Sequence, residues 1–224
     1  MFLDVLIEVV LGGQPLEPLL PFILSWLVAI TVGLTVHEFA HAKRADMAGD
    51  PTPRNNGRVS LNPLDHYDPI GTTFILLFGM GWGKPVPVNP LNFRNRRRDA
   101  IMVGAWGPLS NIIVATLAGL PIRFGIAGEY TLPLAVMVML NLLLAIFNLL
   151  PLGPLDGAGV VEGLLPRRKA IRFSEFTNRY GMVLLFLIIL IHPLGNILIL
   201  TPMQLLGRVI TGHNLLTLIS LAAL

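Results

Sequence analysis

Residues 19–34, LLPFILSWLVAITVGL, carry no charge and lead directly into TVHEFAH at residues 35–41. A run of that length and apolarity is what a helix entering a bilayer needs. In lipid every backbone amide must be bonded internally, which a helix achieves within one segment. Composition supports a polytopic membrane protein over the whole chain. Its 224 residues are 54% hydrophobic and 13% charged, about half the charged share of a soluble domain. Apolar runs long enough to cross are read at residues 21–45, 100–122, 132–150 and 180–200. A shorter run at 70–82 and a broken one at 205–224 are left open. The expectation is an all-α polytopic membrane protein of about four to six transmembrane helices. A short re-entrant loop or β-hairpin piece is expected between the first and second clear spans.

The charges then set an orientation. All but two of the sixteen Lys and Arg residues fall in three polar stretches. Lys43, Arg44, Arg54 and Arg58 follow the first span. Lys84, Arg94, Arg96, Arg97 and Arg98 precede the second, and Arg167, Arg168, Lys169, Arg172 and Arg179 precede the last. If these stretches share the cytoplasmic side, residues 21–45 run inward, 100–122 outward, 132–150 inward and 180–200 outward. The basic balance is thus topological and asks for no nucleic acid. Zero cysteines exclude disulfides, thiolate metal sites and a cysteine nucleophile. Residues 1–18, interrupted by Asp4 and Glu8, lack a basic leader and a small-residue cleavage site, so a lead-in or interfacial helix is expected there rather than a signal peptide. A single membrane-embedded domain is expected over residues 1–224. It would comprise a zinc-ligand helix at 21–48, a strand or re-entrant region at 56–98, core helices at 100–165 and C-terminal helices at 166–224.

Ionisable groups at membrane depth are costly and mark function. His37 and His41 are four residues apart, about 40° around one helix face, so both reach one ion. Glu38 flanks that ion without binding it. The pattern H-E-x-x-H supplies two zinc ligands and a general base. Zinc in such a site lowers the pKa of a bound water to about 7. A third protein ligand is required, from another segment at the same depth. Among the acids, Glu38, Asp156 and Glu162 lie near the membrane. Asp156, in NLLPLGPLDG at residues 148–157, follows the span whose end shares a side with His37 and His41. Pro151 ends that span, and Pro154 is expected in the first turn of a short helix after it. Asp156 is therefore read as the third ligand, with a helix-capping role as its alternative.

On these motifs the chain resembles the site-2 proteases, intramembrane zinc metalloproteases. H-E-x-x-H stands at His37-Glu38-Phe39-Ala40-His41. The family's N-x-x-P-x-x-x-L-D-G is matched by Asn148, Pro151, Leu155, Asp156 and Gly157, and G-P-x-x-N by Gly107, Pro108 and Asn111. The resemblance implies His37, His41 and Asp156 as ligands of one Zn2+ and Glu38 as catalytic base. It points to the compact branch without a PDZ domain. It also implies substrates that are single-span membrane proteins, cut within or near the membrane helix.

Asn111 and Asn148 fall within candidate spans. They are read either as interhelical glue or as donors to substrate and oxyanion. Residues 81–90, GWGKPVPVNP, alternate Val86 and Val88 with prolines that cannot donate to a ladder. They form a candidate edge for holding an extended substrate. His66 is expected at the surface, His192 at a kink beside Pro193, and His213 without a role. The basic cluster at residues 94–99 is read as topology and lipid-headgroup contact. The expected function is an intramembrane zinc endopeptidase in the cell membrane, its active site toward the cytoplasm, with the lipid bilayer and a single-span protein as partners. The alternatives are a prenyl-protease-type H-E-x-x-H enzyme, with a glutamate such as Glu162 as third ligand, and a non-catalytic metal-binding protein. Oligomeric state is not legible.

Overall fold

The computed structural model describes residues 20–78 and 81–222, so the lead-in expected at residues 1–18 lies outside the described residues. Its helices of eight residues or more are α1 (Leu20–Met47), α2 (Pro69–Phe78), α3 (Arg96–Arg123), α4 (Thr131–Asn148), α5 (Asp156–Leu164), α6 (Arg167–Leu190), α7 (His192–Thr211) and α8 (Leu215–Ala222). Helices α1, α3, α4 with its leading turn, α6 and α7 are long and apolar enough to cross a membrane. No strand occurs among the described residues. The protein is an all-α integral membrane protein.

Because lipid tails are as apolar as leucine, helices in a bilayer associate through close packing and internal polar bonds. Helices α1, α3 and α4 form the centre, where Trp26 and Ala29 meet Ala115, Val136, Val138 and Leu142. Met203 of α7 and Leu215 of α8 pack on the same cluster. Gly119 brings α7 against α3, since a Cβ there would lie 2.3 Å from Ile210 Cγ2. The polar ends of α1 and α3 are clamped by an ion pair, Arg44 Nη2 to Asp99 Oδ1 at 3.0 Å. The C-terminal end of α1 therefore lies beside the N-terminal end of α3. Arg97 closes the C-terminus of α5 by donating to Gly163 O and Leu164 O at 2.6 and 2.8 Å. The basic residues thus collect at one end of the bundle, as their grouping in the sequence anticipates.

The span expected at residues 180–200 is divided differently. Helix α6 begins at Arg167 and stops at Leu190, and α7 starts at His192. Pro193 has no N–H and fits only the first turn of a helix, so a new helix begins there. Residues from both sides of the break, Leu185, Ile188 and Ile199, gather with Leu150 in one cluster. The apolar tail splits at Gly212, whose φ of 79° is left-handed. The 8 residues of α8 beyond it are too few to cross.

Between α1 and α3 the expected β-hairpin piece is not found among the described residues. Helix α2, 10 residues long, is capped by Asp68 Oδ1 accepting from Gly71 N at 2.7 Å. The chain then returns, with Lys84 N bonded to His66 O at 2.9 Å and the Trp82 ring 5.6 Å from that of Phe74. Residues 81–89 are coil, because Pro85 and Pro87 offer no ladder donors. What fastens this region to α1 is Asp50, fully buried just past the left-handed Gly49. Its carboxylate accepts from Thr52 N and Oγ1, Asn92 Nδ2 and Asn89 N at 2.6–3.1 Å. Burial pushes the Asp50 carboxyl up, but these bonds outweigh it and hold the group below its ordinary value.

Asp50→Ala is expected to lower the stability of the solubilised protein by about 2–3 kcal/mol in thermal or denaturant unfolding. A carboxyl held below its unfolded value contributes stability that is fully present above about pH 4 and fades as pH falls through the folded value. The exchange protection of the Asn89 amide should accordingly drop on acidification below that pH. In the variant it should be low at every pH.

Candidate metal centre

His37 and His41 occupy successive turns of α1 and are buried. Their Nε2 atoms lie 3.0 Å apart, and each is 3.1 Å from Asp156 Oδ2 at the first residue of α5. The outer nitrogens meet acceptors: His37 Nδ1 bonds Asn111 Oδ1 and His41 Nδ1 bonds Val103 O, both at 2.7 Å. An oxygen of either kind only accepts, so each Nδ1 carries the proton and each Nε2 turns a lone pair inward.

The direction of the Asn111 amide follows from its neighbours. Its Nδ2 donates to Gly33 O and to Asn141 Oδ1, each at 2.9 Å. The Nδ2 of Asn141 donates to Met137 O at 2.9 Å. Every donor in this chain has one acceptor, leaving the Asn111 oxygen to face His37. Both N–H groups of Asn111 are spent and the residue is fully buried. Asn111 therefore has no free donor to offer a substrate.

Three lone-pair atoms with no proton between them repel in a space poor in water. A cation removes that repulsion. Tetrahedral zinc with bonds of about 2.0–2.1 Å needs donor atoms about 3.3 Å apart, close to the 3.0–3.1 Å found. The donor set, two neutral imidazoles and one carboxylate, is that of a catalytic zinc with an open position.

The sequence builds this convergence locally. Gly107 lets α3 touch the rings, since a Cβ there would lie 2.2 Å from His41 Nε2 and 2.8 Å from His37 Cε1. Pro108 cannot donate to Gly104 O and crowds that turn of α3, next to the Val103 carbonyl that His41 uses. Gly157 lets the start of α5 lie on the end of α4, since a Cβ there would meet Leu149 O at 2.3 Å. Helix α5 begins at Asp156, with Leu155 extended at the cap, so Pro154 lies in the preceding turn rather than the first helical one. Leu155 already supplies the extended cap geometry. The Asp156 carboxylate caps nothing: its oxygen faces the two imidazole Nε2 atoms at 3.1 Å.

Other residues are placed as follows. Glu38 is half-buried and makes no hydrogen bond or ion pair among the described residues. Gly83 faces it, 3.6 Å from Oε1 to where a Cβ would stand. Glu162 is exposed and is not part of the cluster. Asn148 Nδ2 bonds back to Leu144 O at 2.9 Å, leaving its oxygen and second N–H without partners among the described residues. Val86 and Val88 are half-buried in coil, and Val88 packs on Ala45, Ala48, Phe93 and Val103. His66, expected at the surface, is buried: its Nε2 donates to Ser60 O at 2.8 Å, because the loop folds over it. His192 is exposed. Sequence reasoning passed over Asn141 and the Val103 carbonyl, and named Gly107 only as part of the G-P-x-x-N motif without its contact to the rings. Asn141 left a signal, as a further amide in an apolar span.

A helical membrane bundle whose two imidazoles and one carboxylate converge beside a glutamate with no partner among the described residues defines the class of membrane metallohydrolases. The model for "Peptidase family M50" matches residues 126–190. A Bacillus subtilis (strain 168) protein named "Putative zinc metalloprotease YwhC" is 36% identical over 200 residues, covering 85% of this chain and 89% of its own. A Mycolicibacterium smegmatis protein named "Putative zinc metalloprotease Rip2" is 29% identical over 194 residues, covering 82% of this chain and 72% of its own. No solved structure matches significantly. The chain belongs to peptidase family M50, the site-2 proteases, and is a zinc-dependent membrane hydrolase.

Gly107→Ala is expected to abolish zinc binding through its clash with both rings. Asn111→Leu is expected to weaken zinc affinity about 10–100-fold by releasing the His37 imidazole. Chelator competition on the purified protein, with a melting curve to confirm folding, measures both.

Proposed function

We propose that the chain is an intramembrane endopeptidase that cuts peptide bonds within or near the membrane helix of single-span proteins. In this reading His37, His41 and Asp156 hold one zinc ion and Glu38 is the general base. The observation that carries it is Glu38 itself, a carboxylate one residue from a ligand on a membrane helix and without a hydrogen-bond or ion-pair partner among the described residues. A carboxylate kept at such cost suits a group with a proton to move.

Zinc, when bound, supplies a Lewis acid that acidifies a water and polarises a peptide carbonyl. Glu38 takes the proton of the attacking water and delivers it to the leaving amine nitrogen. Asn148, with a free N–H one helical turn beyond Leu144, is the candidate donor to the carbonyl oxygen as charge develops. Asn111 orients His37 rather than touching substrate.

The substrate reading rests on the surroundings of the base. An apolar cavity of about 300 Å³ is lined by Ile30, Leu34, Leu140, Leu144 and Phe147. Leu34 is one turn before Glu38 and Leu144 one turn before Asn148, so each of these groups stands one helical turn from the cavity lining. The cavity suits the aliphatic side chains of a membrane segment. A helical segment must unwind before its amides can be attacked, and Val86 and Val88, in a coil with no ladder of its own, offer it an edge. The end of the bundle that gathers the basic residues faces the cytoplasm by the positive-inside rule. The metal ligands lie toward that end.

Glu38→Gln is expected to reduce cleavage of a reconstituted single-span reporter at least about hundredfold while zinc stays at one per chain. Full activity in that variant refutes the base assignment. Asp156→Ala is expected to lose zinc, and retention would send the third-ligand role to another group.

A further inference from the structure

Arg58 is 2% exposed, yet no carboxylate stands within ion-pair distance of it among the described residues. Its Nη2 donates to Lys84 O and to His66 Nδ1 at 3.3 Å, and its Nη1 donates to Pro85 O at 3.2 Å. Because His66 Nε2 gives its proton to Ser60 O, His66 Nδ1 is free to accept. His66 O in turn receives Lys84 N at 2.9 Å. Arg58 Nε has no hydrogen-bond partner among the described residues. Burial pulls the guanidinium down from its ordinary value, and the fields of Glu38 and then Asp65 act against that pull. The group remains charged at any working pH.

A buried cation held only by neutral acceptors is a costly choice where a neutral side chain would fill the same space. What the guanidinium adds is a rigid planar fork that spans two consecutive carbonyls with charge-assisted bonds. The segment it grips has little else to fix it. Residues 81–89 contain neither helix nor strand, and Pro85 and Pro87 have no N–H. Gly83, directly before the gripped carbonyls, is the residue against which Glu38 lies: a Cβ there would be 3.6 Å from Glu38 Oε1 and 3.3 Å from His66 O.

We propose that Arg58 is a positioning residue: its guanidinium pins the Lys84 and Pro85 carbonyls and so sets the spacing between Glu38 and the extended segment on which substrate lies. The substrate half of this statement rests on the endopeptidase reading. The anchoring half does not. Arg58 touches neither metal nor substrate and acts through the backbone it holds. A lysine at this position keeps the charge but cannot bridge both carbonyls.

Arg58→Lys and Arg58→Met, made in the full chain and purified in detergent, test it with two readouts. The first is hydrogen exchange of peptides spanning residues 81–90, which needs no substrate. Exchange at Lys84 should speed up in both variants while zinc content stays at one per chain. The second uses a synthetic single-span peptide of about 25 residues, apolar with a central Asn-Pro pair. Its kcat should fall about hundredfold in Arg58→Met and less in Arg58→Lys, with cuts spread over neighbouring bonds and KM nearly unchanged. A merely structural role would lower the amount of zinc-loaded enzyme and leave the cut position fixed.

Unchanged Lys84 exchange overturns the proposal, as does faster exchange with wild-type kcat and a single wild-type cut. If Arg58→Met fails to retain zinc, Arg58→Lys carries the same comparison. If the wild-type enzyme does not cut the peptide, the endopeptidase reading falls, and Lys84 exchange in Arg58→Lys decides whether the segment is held by Arg58.

Discussion

In a bundle surrounded by lipid, a polar side chain must find its partner inside the protein, and this bundle meets that demand with one directional chain of hydrogen bonds. It starts at Met137 O, passes through the amides of Asn141 and Asn111, and ends on the His37 imidazole. Each amide can satisfy its neighbour in only one orientation. The result is a fixed tautomer at His37, and Val103 O imposes the same on His41. Two lone pairs and a carboxylate oxygen are thereby aimed at one point before any ion arrives. Preorganisation of this kind removes the ordering cost from metal binding and places it in the folding of α1 against α3 and α4.

The close packing of those three helices is as necessary as the polar chain. A ligand sphere with edges of 3.0–3.1 Å tolerates little movement of the helices that carry it. Gly107 brings the α3 backbone to the rings, and Gly157 seats α5 on the end of α4. At both positions a methyl group would occupy the space of a ligand or of a carbonyl. Leucine-rich surfaces alone would hold such helices only loosely in lipid, where burial drives little association.

The region between α1 and α3 uses a different device at the membrane surface. It has little regular structure, so buried charges do what a ladder would otherwise do. Asp50 collects four donors from two loops, and Arg58 collects acceptors from the stretch beside Glu38. One group fastens the loop to the end of α1, and the other holds the stretch that passes beside Glu38. Gly83 of this anchored loop lies against Glu38.

Much of this was legible in one dimension. Helical spacing put His37 and His41 on one face, hydropathy separated the spans, and the grouping of Lys and Arg brought Asp156 to the same end of the bundle as the histidines. These features are local or statistical, and a periodic pattern records them directly. The break at Ile191–His192 was less visible because apolar residues flank it on both sides and only Pro193 marks it. What the fold alone decided were contacts between residues far apart in sequence: Asn111 facing His37 instead of substrate, Val103 O receiving His41, His66 buried under its loop, and Arg58 gripping Lys84 and Pro85. Residue types name the groups able to form such bonds. Which of them meet depends on helix crossings and loop paths set by the packing of the whole bundle.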